Sequence, residues 1–413
     1  MEQELLRLQT SGRALSALQE LQFRMQLGRE LLRSGSTERA IEEYELARAL
    51  LEMIDESAAE RARFQLHRQL GIAYLRLGEQ ENCIANHSPD ACILPLQGGG
   101  IHRLPRGSRA AIDEYAAMLA ARPADRGARW LVNLAFMTLG EYPESVPDHW
   151  LIPPAAFDSE YNMPRFRDVA RLCGVDVVGL SGGSIMEDFD NDGFLDIMAS
   201  SWGLGDQLRH FRNNGDGSFE DRTVAAALIG QVGGLNMNHA DFDNDGDRDV
   251  LVLRGAWLKE QGLHPNSLLR NEGGETFTDV TEAAEILSFH PTHTAAWGDF
   301  NNDGWLDLYV GNETVEEKTG EAPKFPHANQ LFSADGDGSF TDVAATHGVD
   351  FLTYTKGVAW GDFDNDGQLD LYVSALGSGN VLMHNRQTTA GGFVDVTSAA
   401  GVSEPLKSFS TWF

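Results

Sequence analysis

A nine-residue acidic pattern occurs four times in the second half of the chain and limits what that half can become. It reads DFDNDGFLD from Asp188, DFDNDGDRD from Asp241, DFNNDGWLD from Asp299 and DFDNDGQLD from Asp362. An isolated stretch of Asp, Asn and Gly is an ordinary polar turn. Four copies whose starts lie 53, 58 and 63 residues apart form a tandem repeat. Position 1 is Asp188, Asp241, Asp299 and Asp362, and position 3 is Asp190, Asp243, Asn301 and Asp364. Position 5 is Asp192, Asp245, Asp303 and Asp366, and position 9 is Asp196, Asp249, Asp307 and Asp370. The main-chain carbonyl of position 7 (Phe194, Asp247, Trp305, Gln368) completes an alternating set of hard oxygen donors suited to Ca2+. Glycine at position 6 permits the sharp turn that gathers them. Calcium is the cofactor this pattern predicts.

The loops are not EF-hands. That motif needs a bidentate Glu at position 12, where this chain has Ala199, Val252, Val310 and Val373. Each loop is followed by a short apolar run such as LDIMAS, LDLYVGN or LDLYVSA, and two are preceded by AAWGDF and VAWGDF. A strand on either side of a cation loop is the expected hairpin. Each unit carries a second recurring piece, for example LLRNEGGETFTDVT ending at Thr281 and LFSADGDGSFTDVA around Phe340. Its Gly-rich turn joins two further strands, with a Phe-x-Asp after the turn. Four short strands per period, in tandem, predict β-propeller blades.

These blades resemble the FG-GAP/VCBS repeats of integrin α-subunit propellers. They are more similar still to bacterial relatives of cartilage acidic protein that carry a C-terminal ASPIC/UnbV segment, through VLVLRGAWL after Asp249 and the run NSLLRNEGGETFTDVT. The resemblance covers roughly 160–413. It implies a calcium-binding β-propeller, usually exported, of mostly unassigned activity. Asn301, where the family has aspartate, leaves the third loop one charge poorer.

The chain of 413 residues bears 62 acidic against 32 basic residues, a net charge of −30. The loops supply fifteen of those carboxylates at ligand positions, so the acidity is partly a metal-site property. It also argues against a nucleic-acid partner, which needs a basic face. No run approaches the length of about 18 apolar residues that a membrane helix needs.

Residues 1–150 have another character, with Leu, Ala, Glu and Arg at helical spacing. In LGRELLRSGSTERAIEEYELA, the residues Leu27, Gly28, Gly35, Ala40, Tyr44 and Ala47 fit the small and aromatic positions of a tetratricopeptide repeat. LGIAYLRLGE (Leu70, Gly71, Tyr74, Gly78) starts a second unit, completed by AAIDEYAAMLAARP with Ala111, Tyr115 and Pro123. A generic helical bundle is the alternative. Between these halves lies an insertion at 81–107 holding Cys83, His87, Cys92 and His102. A Cys83–Cys92 disulfide, simple packing and a tetrahedral metal site are all compatible with that spacing. The expected organisation is therefore a helical domain over 1–150, with the inserted Cys/His loop, followed by propeller blades over 151–413.

Loops of this kind in extracellular modules bind calcium at roughly 10⁻⁴–10⁻³ M, which points outside the cytosol, to an extracellular or periplasmic location. MEQELLRLQT at the start has no apolar signal core. The leading functional reading is a calcium-binding scaffold that holds a protein or glycan partner. The alternative is a metal-dependent enzyme, with its site in the Cys/His insertion or in a propeller channel lined by Gly182, Leu235, His293 and Lys356, with His239 and His290 nearby. The ending SFSTWF matches the residues before the earlier loops, and FRDVARLCGVD from Phe166 matches the tail of a blade. Four complete units with a fragment at each side, in an unclosed ring, are the expectation.

Overall fold

A computed structural model describes residues 15–84, 88, 90–91, 93–158, 161, 166–315, 325–386, 392–409 and 411. The chain divides into two compact units, Met1–Asp168 and Val169–Phe413.

The first unit is helical. Its helices are α1 (Ala17–Arg33), α2 (Thr37–Ala49), α3 (Glu56–Asn82), α4 (Arg106–Ala121) and α5 (Arg126–Thr138). Side-chain caps start three of them. Ser16 and Gln19 form a capping box on α1, and Asp55 and Asp125 accept the N–H groups of Ala58 and Ala128. Each helix packs mainly on the next in the chain. Two pairs are drawn together in the same way. A Cβ on Gly28 of α1 would lie 2.5 Å from the Tyr44 ring of α2, and one on Gly71 of α3 would lie 2.7 Å from the Tyr115 ring of α4. The missing side chain makes room for the aromatic ring, and both tyrosines are fully buried.

Among its described residues the second unit holds four antiparallel four-stranded sheets. The first holds β1 (Ser181–Glu187), β2 (Asp196–Ser201), β3 (Arg209–Asn213) and β4 (Phe219–Asp221). The second holds β5 (Asn236–Ala240), β6 (Asp249–Leu253), β7 (Ser267–Asn271) and β8 (Phe277–Asp279). The third holds β9 (Thr292–Gly298), β10 (Asp307–Asn312), β11 (Gln330–Ala334) and β12 (Phe340–Asp342). The fourth holds β13 (Thr355–Gly361), β14 (Asp370–Ala375), β15 (Val381–Asn385) and β16 (Phe393–Asp395). Every sheet follows chain order, and β1, β5, β9 and β13 run beside one another as first strands. The expected four strands per period are all present.

Side-chain alternation decides how the sheets stack. In β6 every residue is buried, because Val250 and Val252 face the first sheet while Leu251 and Leu253 face the third. The loop phenylalanines Phe189, Phe242 and Phe300 each fill the core between their own sheet and the next. Ahead of the first sheet, Ala170–Cys173 is a one-turn helix ended by left-handed Gly174, as are Ala344–His347 with Gly348 and Thr397–Ala400 with Gly401. The helix part of FRDVARLCGVD thus follows the other sheets, while residues 166–168 form no strand where they have Phe340–Asp342 and Phe393–Asp395. At the other side, the Oγ of Ser374 donates to the carbonyl of Phe409, beside β13. Ser410, Trp412 and Phe413, on which the expected next blade rests, lie outside the described residues.

Candidate metal loops

The four acidic loops join the first two strands of each sheet and share one backbone. Position 4 (Asn191, Asn244, Asn302, Asn365) is left-handed at φ 58–59°, and the position-6 glycines lie at φ 88–95°. Asparagine is among the few non-glycine residues that tolerate this region. The aspartates are fixed by the loop's own N–H groups. Position 1 accepts from the glycine amide at 2.8–3.1 Å (Asp188, Asp241, Asp299, Asp362). Position 5 accepts from the position-7 amides of Phe194, Asp247, Trp305 and Gln368, each at 2.9 Å.

Position 9 does a second job. Asp196, Asp249, Asp307 and Asp370 are buried at the start of each second strand. Each accepts the amide of the position-2 phenylalanine and one at the end of the third strand, that of Asn213, Asn271, Ala334 or Asn385. Burial pushes all four carboxyls up, Asp249 to about 7 and Asp307 to about 6.

Carboxylate oxygens converge within 4.8 Å of one another at Asp188, Asp190 and Asp196, at Asp241, Asp243 and Asp249, and at Asp362, Asp364 and Asp370. The third loop departs as its sequence implies, since Asn301 turns its amide to Asp303 at 2.8 Å. The loops also differ in the residue that faces them from the third strand. Arg212 pairs with Asp190 at 2.9 Å and Asp192 at 3.3 Å, and His384 approaches Asp364 at 3.2 Å. In the second loop the equivalent Arg270 is turned to Glu272, at 2.8 Å. There Asp241 Oδ1 and Asp243 Oδ1 are buried with no hydrogen-bond partner. A donor set of converging carboxylates, two of whose oxygens have no hydrogen-bond partner, fits a hard divalent cation.

Sequence reasoning missed how the loops connect. Asn191 donates to Asp247 of the next loop at 2.7 Å, Asn244 to the Gly304 carbonyl at 3.2 Å, and Asn302 to Gln368 at 2.8 Å. The signal was present, because position 4 is asparagine in all four copies.

Of the candidate channel residues, His293 and Lys356 come together on Glu313, which sequence reasoning did not single out. His293 Nδ1 lies 3.4 Å from its carboxylate, and the buried Lys356 amine pairs with it directly. That amine also lies over the rings of Trp257 at 3.3 Å and Tyr354 at 4.0 Å, and burial lowers its pKa. Glu313 and His327 border a cavity of about 280 Å³. The other candidates lie elsewhere. His239 sits 3.4 Å from Glu187, and His290 meets His327 at 3.0 Å. Gly182 packs against the Ser200 and Gly234 backbone, and Leu235 precedes β5 half-buried. In the insertion, Cys83 Sγ and His102 Nε2 are 3.9 Å apart, and His102 Nδ1 is bonded to Ser108. His87 and Cys92 lie outside the described residues.

Comparison with known proteins agrees with this geometry. Residues 188–252, 241–310 and 323–373 match the family profile of the FG-GAP-like repeat. The chain is 26% identical over 254 residues to cartilage acidic protein 1 of Homo sapiens, covering 59% of this chain and 35% of that protein. The Mus musculus protein of the same name is also 26% identical, and the Xenopus tropicalis one is 31% identical over 181 residues, 40% of this chain and 24% of that protein. The chain thus spans about a third of the length of the curated relatives it matches. It carries FG-GAP-like repeats and is similar to cartilage acidic protein 1 over 59% of its length.

Proposed function

We propose that this protein is an exported calcium-binding interaction scaffold. In this reading the four sheets are blades of a β-propeller, and the helices over 1–150 are tetratricopeptide-like repeats. The carrying observation is the second loop, where two buried carboxylate oxygens converge without a partner. The side-by-side placement of the first strands β1, β5, β9 and β13 supports the propeller reading. The repeated glycine-on-tyrosine packing supports the helical-repeat reading, and stacked helix pairs offer a surface for a protein partner. A glycan or protein on the propeller face is the second expected partner. Similarity to cartilage acidic protein 1 supports an extracellular setting, where millimolar calcium fills loops of this class.

Calcium adds no new fold in this mechanism. The loop amides already hold the carboxylates in place, so the ion acts by cancelling their mutual repulsion. Occupancy at about a hundred times the dissociation constant adds about 2.7 kcal/mol per site to the folded state. Thermal melts with calcium and with excess chelator are expected to differ by many degrees. Coincident melts would end the calcium reading.

An enzyme remains the second reading, favoured by the His293–Glu313–Lys356 cluster beside its cavity. The Lys356 amine is neutralised by Glu313 and covered by two aromatic rings, an arrangement that suits an anchor for the Trp257 loop better than a nucleophile.

A further inference from the structure

One cluster breaks the internal repeat in two places at once. His210 of β3 lies opposite Met198 in the register, where the other sheets have Leu268, Leu331 and Leu382. Glu275, in the β7–β8 turn two residues before Phe277, stands where the corresponding turns have Gly217 and Gly338. Those glycines lie at φ 88–90°, and Glu275 is held at φ 67°, a region that resists a non-glycine residue. The two departures belong to neighbouring sheets and meet in space, with His210 Nε2 3.5 Å from Glu275 Oε1.

The surroundings show what the pair lacks. His210 is 0% exposed, and neither ring nitrogen has a hydrogen-bond partner. Phe189 and Phe277 hold the ring edge-on, so packing rather than hydrogen bonding sets its orientation. Glu275 Oε1 is likewise buried and without a hydrogen-bond partner. Asp196 offers a third ligand atom, and the three groups lie within 4.8 Å of one another. Its two oxygens accept from Asn213 and Phe189 but keep lone pairs free. Arg212 and Arg222 approach Glu275 at 3.5 and 3.6 Å without hydrogen-bonding through Nε.

An imidazole and two carboxylates, dry and convergent, form a donor set for a borderline first-row ion rather than for calcium. We propose that Asp196, His210 and Glu275 bind one divalent transition ion of the Zn2+ class, which staples the first sheet to the second. The site is closed to solvent, which suits a structural ion. It shares Asp196 with the first loop, where that residue holds position 9, whereas His210 and Glu275 take no part in the loops.

The test uses Co2+ as the probe, added to the full chain saturated with calcium. One Co2+ per chain is expected, with visible d–d absorption that Zn2+ bleaches and excess Ca2+ does not. His210→Leu and Glu275→Gly restore the residues of the other repeats, so both should fold, keep the calcium-dependent shift in melting and lose the absorption. Absence of the bands in the parent protein, or their survival in His210→Leu, would overturn the proposal and leave an ionic strut between sheets.

Discussion

The two units handle charge in opposite ways. Residues 1–168 carry 24 acidic against 19 basic residues, and residues 169–413 carry 38 against 13. In the helical unit acids find partners across helices. Arg24 pairs with Glu20 and Glu43, Glu114 takes both Arg48 and His67, and Arg109 pairs with Glu141. In the sheet unit much of the excess acid is gathered into four loops, and the second of these has carboxylate oxygens without a hydrogen-bond partner among the described residues. One unit pairs many of its acids within the fold; the other sets carboxylates side by side in its loops. The same total charge would teach nothing of this.

The largest expected effect separates the units directly. Chelator should raise amide hydrogen exchange in the strands between 181 and 395, while α1–α5 keep their protection. Equal loss of protection in both units would break the comparison.

Next in size is a pH effect in metal-free protein. Burial raises the folded pKa of Asp249 to about 7 against an ordinary 3.8. A raised folded pKa contributes stability that is present below the unfolded value and lost as pH rises through the folded one. Metal-free protein should therefore lose stability from Asp249 between about pH 4 and 7, at up to about 1.4 kcal/mol per unit. Asp249→Asn should flatten that slope in chemical denaturation at several pH values. An unchanged slope would show that the Asp249 carboxyl does not govern it.

The helical side has its own test. Gly28→Ala puts a Cβ 2.5 Å from the Tyr44 ring, and overpacking of this kind costs about 1–3 kcal/mol. The substitution should lower helical stability and leave the calcium dependence of the sheets intact. A changed calcium response would mean that the units are coupled.

The smallest effect concerns Arg212, which pairs with Asp190 and Asp192 where calcium would bind. Arg212→Gln should tighten calcium binding at the first loop several-fold, read by titration calorimetry as a change in one site of the set. Weaker binding would make Arg212 a support of that loop rather than a competitor.

The repeat itself was legible in the sequence, because local pattern governs it. Aspartates at alternating positions, glycine at position 6 and apolar runs of period two dictate a strand, a turn and a strand wherever they occur. The sixteen strands among the described residues fall into four chain-ordered sheets for that reason. Gly28, Tyr44, Gly71 and Tyr115 were legible too, since a helix sets which residues can meet. Tertiary structure alone decided what each loop faces. Arg212, Arg270, Ser333 and His384 occupy one register position on the third strands, yet Arg212 meets loop carboxylates while Arg270 turns to Glu272. Nor does spacing tell that His210 and Glu275, 65 residues apart in the chain, share a dry pocket between two sheets. Period and turn chemistry act over a few residues, whereas the choice of a charged group's partner depends on distance and burial across sheets, which only the folded chain creates.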